Sequence, residues 1–502
     1  MEQYVMGIDV GTGTSKGVII DEQCRIVRME QISHAMDNPA PGFFEMDAEE
    51  IWWGDVCRLS RSLLAESGIA PEKIRAIGIS ALGCDCVPVD ENGKALMKAI
   101  LYGIDSRAQK EIAYLNEYYG DEAERVFGHE ICTSDIAPKI LWIKRNRPEI
   151  YEKTAKFLTA SSFICAKLTG RYVIDRYLAE DFRPMYDLQN DCISQEGCGI
   201  LCRPDQMADL ADATEISGTI TKEAAQVTGL CEGMAVLTGT GDSGAEAVGT
   251  GVFRPGDMMV QVGSTAYFVC LSDHLIFDGR VWPGTFIIPG VYSICAGTNT
   301  AGTLTQWLAK ELFRDITDDE EGRRFSEMAG SISGIPAGSD GLMVLPYFAG
   351  ERTPIGDPNA RGLVIGLTLS HTREHLYKAA LEGIAYSIDQ HVKLIEEDGV
   401  KVNKIMMVGG GTKNSAWLQI IADVLGREIH TAGVTIGAAF GDALMASLAA
   451  GFYESWEMLS QVVKPAVTYR PDPAASAVYE KHKDLFVKLY IDNREHMHYL
   501  AR

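Results

Sequence analysis

The 502-residue chain lacks what several classes of protein require. It has no run of about 18 apolar residues, so no segment is suited to crossing a bilayer as a helix. Its start, MEQYVMGIDV, enters a strand-like stretch with neither the basic segment nor the apolar core of a secretory leader. Twelve cysteines are present, and the closest groupings are Cys84-Asp85-Cys86 and Cys192, Cys198 and Cys202. None has paired C-x-x-C spacing, which argues against a structural zinc site and for free thiols in a reducing cytoplasm. Positive charge is scarce: 46 Lys and Arg stand against 69 Asp and Glu, a net charge of −23. No nucleic acid or anionic membrane partner is expected from that balance. The acidic residues are dispersed rather than gathered in one block.

What remains is an ordinary globular composition, 46% hydrophobic and 23% charged, long enough for more than one domain. His371-Thr-Arg-Glu374-His375 matches an H-x-x-E-H zinc-peptidase pattern. Ser370 just before it reads as a helix N-cap, with Leu376, Ala379, Ala380 and Ile384 following at helical spacing. The pair is therefore expected in the solvated first turn of an amphipathic helix. After Pro471-Asp-Pro473 a C-terminal helix should pack back on the fold.

The first 110 residues read as α/β, with strands over 4–9, 18–21 and 74–80 and a helix over 48–67 that turns Ile51, Trp52, Val56, Leu59, Leu63 and Leu64 to one face. Further helices are expected from Asp105 and over 138–143, and short helices and turns over 186–235 ending in a strand at 235–238. Between the first two strands lies GIDVGTGTSKG, residues 7–17. Such a hairpin can cradle a phosphate with N–H groups and hydroxyls while Asp9 handles a metal ion, or it can be a plain glycine-rich turn. The opening has a weak echo: in MMVQVGSTAYFVC, Gly263-Ser264-Thr265 falls where Gly11-Thr12-Gly13 stood, with Gln261 in place of Asp9. An internal duplication follows, each half presenting a Gly/Ser/Thr hairpin. LTGTGDSGAEAVGTG puts Asp242 at a glycine-lined strand end, AGTLTQWL puts Gly302 and Gln306 at a helix start, and VGGGTKNSAWLQIIADVLG runs a strand through three glycines into a helix. Each alone is ordinary α/β punctuation; their order is specific.

With these motifs in place the chain resembles the FGGY family of carbohydrate kinases. Gly362-Leu-Val-Ile-Gly366-Leu and His375-Leu-Tyr-Lys-Ala-Ala-Leu-Glu382 follow the family's C-terminal signature, and PYFAGERTP, residues 346–354, is typical of it. Lys139-Ile-Leu-Trp142-Ile-Lys-Arg-Asn146 follows most of the N-terminal signature and departs from it at Ile136. The resemblance implies an α/β fold of two ribonuclease H-like domains, of the actin/hexokinase/Hsp70 ATPase type, with the active site in the cleft between them. It implies a division into 1–247, holding sugar, first hairpin and catalytic aspartate, and 248–502, holding the nucleotide.

Carried over by position, Asp242 is the catalytic base, and Asp9 positions magnesium and its water. Gly11, Thr12, Gly13, Thr14 and Lys16 bind ATP phosphates from one side, and Gly263, Ser264 and Thr265 from the other. Gly302, Gln306, Gly410, Gly411 and Ser415 match nucleotide-binding positions, with Asn414 a second candidate in that loop. Around the acceptor, the resemblance points to Cys84, Asp85, Asp105, Ser134, Asp242 and Ser243. Gly103 stands where the family usually has an aromatic wall, so the pocket is expected to be remodelled. A ketopentose such as xylulose leads as acceptor, followed by gluconate, erythritol and glycerol; a homodimer is open by analogy. Two rivals from other classes are an actin- or Hsp70-like switch ATPase and a catalytically silent sugar-binding regulator.

Overall fold

A computed structural model describes residues 2–276, 278–316, 323–434 and 436–501. The chain forms two compact units, and neither is continuous in sequence. The first comprises residues up to Phe253 together with Gly284–Tyr292 and Val434–Val463; the second comprises Arg254–Pro283, Ser293–Gly433 and the chain from Lys464 onward. The expected division at 247/248 lies close to the first crossing, but nothing in local sequence announces the two excursions.

In the first unit the central strands lie in the spatial order Ile26–Ser33, Thr14–Asp21, Tyr4–Val10, Ile74–Ala81, Ala235–Leu237. The first three pair antiparallel and the last two run parallel to Tyr4–Val10. The second strand begins at Thr14 rather than at 18, so it pairs along the whole of Tyr4–Val10. The second unit repeats the order with Tyr292–Gly297, Ala266–Ser272, Asp257–Val262, Lys404–Val408 and Ile429–Ala432. There too the hairpin is antiparallel and the following strands are parallel. The internal duplication is thus topological, far clearer in strand order than in residue identity.

The helical stretch expected over 48–67 opens as a wide-wound turn, Ala48–Trp53, and continues as an α-helix, Gly54–Ser67, stopped by left-handed Gly68. Trp52, Val56, Leu59, Leu63 and Leu64 are buried as the spacing requires. Gly17 admits this helix, since a Cβ there would lie 2.8 Å from Leu63 Cδ1. Two boundaries differ from expectation. The helix expected from Asp105 starts at Gln109, because the Asp105 side chain is drawn inward by Arg107 and the Phe44 N–H. The N-cap expected at Ser370 is Thr372, whose N–H donates to His375 Nδ1 (3.2 Å), and the helix runs Arg373–Glu397. His375 Nε2 lies 3.2 Å from Asp340 Oδ2, His371 Nε2 lies 3.3 Å from the Asp340 carbonyl, and Glu374 pairs with Arg373.

Glu382, in the C-terminal signature, is buried and accepts from Gly338 N–H, Ser339 Oγ and Tyr479 Oη. It thereby ties the C-terminal helix Pro473–Leu500 into the second unit, with Lys483 on Asp389 (2.9 Å) adding a buried ion pair. Among the described residues no helix is long and apolar enough to cross a membrane, and all twelve cysteines are free.

Candidate active site

In the first unit, strand register assembles the chemistry. Asp9 stands opposite Lys16 on one neighbouring strand and Ser80 on the other, and Ser80 stands opposite Thr240. Side chains in register on adjacent strands share a face, so these four form a row across the sheet. Ser80 Oγ lies 3.2 Å from Asp9 Oδ1. Asp242 opens the helix Asp242–Gly249 just after the short strand Thr240–Gly241, and its Oδ1 accepts the Ser243 N–H (2.7 Å). Asp9 is buried and Asp242 half-buried. Burial, then the Asp242 charge, push the Asp9 carboxyl up, with Lys16 and Ser80 pulling back. Burial raises the Asp242 carboxyl as well, against the Ser243 N–H and Lys16. A carboxyl raised in this way is a better proton acceptor than an ordinary one, as a general base requires.

The hairpin tip over residues 11–13 is closed by the Gly11 N–H on the Thr14 carbonyl (3.2 Å) and leaves Gly13 exposed. Its underside is braced by a group that sequence reasoning missed. The His34 N–H donates to the Gly13 carbonyl (3.1 Å), His34 Nε2 lies 3.0 Å from the Gly11 carbonyl, and Nδ1 lies 2.9 Å from Asp55 Oδ2. Carbonyl and carboxylate only accept, so both ring nitrogens carry hydrogen and the ring is an imidazolium. The Asp55 hydrogen bond accordingly raises the His34 pKa. Burial works against Asp55, yet donors from His34, Ser15 (2.7 Å) and Arg58 hold its carboxyl below the usual range. Residues 34 and 55 are separated by 21 positions with no motif between them, so only the fold brings them together.

The acceptor residues are placed unevenly. Asp85 is fully buried: its Oδ1 accepts the Ala160 N–H (2.9 Å) and its Oδ2 is enclosed. Asp105 is buried in a fork with Arg107, itself joined to Glu45. Of the two carboxylates expected to hold sugar hydroxyls, Asp105 is therefore engaged at both oxygens inside the unit, whereas Asp85 keeps Oδ2 without a partner among the described residues. The Cys84 N–H donates to Asp181 Oδ2 (2.9 Å), and Tyr177 Oη pairs with Ser243 Oγ (2.9 Å). Tyr177 and Asp181 lie on one turn that also touches the Asp242 loop, since a Cβ at Gly241 would lie 3.3 Å from Tyr177 Cε1. Neither was legible in sequence, because no motif marks them. Gly103 has a use: a Cβ there would meet Ser134 Oγ at 2.7 Å, so glycine lets Ser134 occupy that place. One residue earlier, Tyr102 Oη accepts from Thr12 Oγ1 at the hairpin tip (3.3 Å).

In the second unit three predicted segments converge at the end of strand Asp257–Val262. The Gly263 N–H closes its turn on the Thr265 carbonyl (2.9 Å), leaving Ser264 exposed at the tip. The helix Gly302–Leu312 is welded to that turn by the Ala301 and Thr303 N–H groups on the Ser264 carbonyl and the Gly302 N–H on the Gly263 carbonyl. A Cβ at Gly302 would lie 2.4 Å from Gly263 O, so only glycine fits. The run 409–411 crosses the same strand end, where a Cβ at Gly411 would lie 2.6 Å from Val262 Cγ1; Gly410 beside it is exposed. Gln306, one turn beyond Gly302, is exposed. Asn414 is held as a helix cap, its Oδ1 accepting the Trp417 N–H (3.1 Å) and its Nδ2 donating to Tyr377 Oη; Ser415, next in line, is exposed.

Two glycine-bearing hairpins, one beside paired carboxylates and a lysine, define a phosphoryl-transfer class of protein. The model of the N-terminal domain of the FGGY family of carbohydrate kinases matches residues 4–249, and that of the C-terminal domain residues 258–450. The chain belongs to this family and is a carbohydrate kinase; kinases of this family use ATP. The xylulose kinase of Bacillus subtilis is 26% identical over 507 residues, covering 98% of each chain. The gluconokinase of the same organism is 26% identical over 502 residues, covering 97% of this chain and 96% of that one. The crystal structure of xylulose kinase from Rhodospirillum rubrum superposes with a TM-score of 0.91 at 27% identity, over 99% of this chain and 100% of that one.

Proposed function

We propose that this kinase transfers the γ-phosphoryl group of ATP to a hydroxyl of a ketopentose such as xylulose. The observation that carries the transfer is the row Lys16–Asp9–Ser80 with Asp242 at the adjoining strand end. Asp242 takes the proton of the attacking hydroxyl. Lys16 and the hairpin residues Gly11, Thr12, Gly13 and Thr14 receive phosphate oxygens on the first unit. Gly263, Ser264 and Thr265 do so on the second, with Gly302, Gln306, Gly410, Gly411 and Ser415 lining the nucleotide and Asn414 shaping that loop. The donor set suits magnesium, which takes few carboxylates and keeps its water, and Asp9 would hold it through that water. Bound with ATP, magnesium supplies positive charge at the transferring phosphoryl. Cys84, Ser134 and Ser243, joined by Tyr177 and Asp181, border the acceptor; Asp85 and Asp105 act from beneath as supports.

The near full-length similarity to xylulose kinases supports the ketopentose. The similarly extensive match to gluconokinase favours a sugar acid as second reading. The test is magnesium-dependent ADP release over a panel of ketopentoses, aldoses, sugar acids and polyols, beside Asp242→Ala. Xylulose should raise turnover strongly, and the variant should lower it about 10²- to 10⁴-fold. A larger response to gluconate would shift the acceptor to the second reading. Acceptor-independent ATP turnover, equal in parent and variant, would instead make the protein a switch ATPase.

A further inference from the structure

Asp442 is fully buried in the first unit, on the helix Ala438–Ala449. Glycines let that helix lie flush on the central sheet. A Cβ at Gly7 would lie 2.1 Å from the Ala439 carbonyl oxygen, and one at Gly78 2.3 Å from that of Asp442 itself. Gly441 meets the helix Asp242–Gly249 as closely, its Cβ position falling 1.8 Å from Ala245 O. The backbone of Asp442 is thus pinned two residues before Ser80 on the same strand, and its side chain reaches Ser80. Ser80 Oγ lies 2.7 Å from Asp442 Oδ2 and 3.2 Å from Asp9 Oδ1. The other Asp442 oxygen, Oδ1, is enclosed and finds no partner among the described residues.

A serine hydroxyl carries one hydrogen. Between two ionised carboxylates, Ser80 could donate to only one, and the other contact would oppose lone pairs. An ionised Asp442 would also leave a charged oxygen bare in the core, a costly arrangement. Both difficulties vanish when Asp442 carries a proton: its hydroxyl donates to Ser80 Oγ, and Ser80 donates to Asp9. Burial pushes the Asp442 carboxyl well above the usual range; Ser80 pulls the other way, and the Asp9 charge adds to the rise.

We propose that Asp442 is a positioning residue, a neutral carboxyl that donates to Ser80 and so commits the Ser80 hydroxyl to holding the Asp9 carboxylate in place for phosphoryl transfer. This inference rests on the roles proposed above for Asp9 and Asp242.

Steady-state kinetics of Asp442→Ala, Asp442→Asn, Ser80→Ala and the Asp442→Ala/Ser80→Ala double variant provide the test, with Asp9→Asn and Asp242→Asn alongside. Asp442→Ala should lower kcat about 10- to 100-fold, the worth of a hydrogen bond to a charged group, and move either KM far less. Asp442→Asn can still donate through its amide and should recover to within about threefold of the parent. The double variant should be no slower than the slower single one, because the two residues act in series. The infrared difference spectrum of the unliganded parent minus Asp442→Asn should carry the C=O stretch of a protonated carboxyl.

A parental rate for Asp442→Ala, multiplying effects in the double variant, an Asp442→Asn as slow as Asp442→Ala with an intact thermal melt, or a carboxylate band alone in the spectrum would each overturn the proposal. If Asp442→Ala does not fold, a slow Ser80→Ala beside a near-parental Asp442→Asn supports it, and the reverse order overturns it. Parental rates for Asp9→Asn and Asp242→Asn would unseat the proposed site itself. Inactivity of those two with a silent Asp442 would remove this inference alone.

Discussion

The two hairpins share a topology and differ in what holds them. The first, at residues 11–13, sits on side-chain charge: the His34 imidazolium and Asp55 beneath it, and Asp9, Lys16 and Ser80 along its strands. The second, at 263–265, is held through its own carbonyls, which accept N–H groups from residues 301–303 and the uncharged Thr303 hydroxyl (2.9 Å). Gln261 occupies the place of Asp9, so that position of the second hairpin carries an amide instead of a carboxylate. A duplicated fold has thus been built twice, once with buried charge at the turn and once as a turn packed closely by glycine. Charge needs compensation that the fold must collect from distant residues, whereas a cradle needs only close backbone, which glycines supply locally.

The sharpest way to break this comparison is to remove the buried charge under the first hairpin. Asp55→Ala leaves the His34 imidazolium without its partner and should cost about 3 kcal/mol of stability in denaturant unfolding. The cost should depend on pH. His34 is raised above its ordinary value near 6.5, so its share is complete below that pH and fades as pH climbs through the raised value. Asp55 is held below its ordinary value near 3.9, so its share is present above that pH and is lost only as pH falls through the lowered value. The gap between parent and variant should therefore be widest between about pH 4 and 6.5 and shrink on the alkaline side. A gap that widens with alkalinity would contradict an imidazolium at this place.

The second hairpin should respond to volume instead. Gly302→Val forces side chain against the Gly263 carbonyl, and overpacking of this kind costs about 1–3 kcal/mol. Its effect should appear as a roughly tenfold rise in KM for ATP at unchanged KM for the sugar, with no pH dependence of its own. An equal rise for both substrates would mean that the turn serves the whole site rather than the nucleotide. The smallest effect is expected at Asn414→Ala, which removes a helix cap worth about 1 kcal/mol. A shift of the melting temperature by a few degrees with little change in turnover would mark Asn414 as structural. A large KM effect for ATP would restore it as a nucleotide contact.

Much of this protein is written locally. Alternating and helical spacing, glycine turns and the order of five motifs suffice for the α/β class, both hairpins, the helix start at Gly302, the helix after the three glycines, and the FGGY resemblance. The second hairpin and the segments around it are the more legible because their parts are backbone features, and a glycine needed for close approach is visible as a letter. The acceptor half is less legible for the complementary reason: a carboxylate looks the same in a string whether it faces a ligand or, as at Asp105, grips Arg107 in the interior, while Asp85 meets a helix start with one oxygen and keeps the other unpartnered among the described residues.

The sequence by itself determined where the strands turn and which polar residues lie at their ends, because those depend on neighbours a few positions away. Only the tertiary structure decided that His34 and Asp55 brace the first turn, that Tyr177 and Asp181 border Ser243 and Cys84, and that Asp442 returns from the far end of the chain to stand behind Ser80. Those contacts rest on strand register and on helices seated by glycine, and no local pattern of residues encodes a partner that lies from 21 to 362 positions away along the chain.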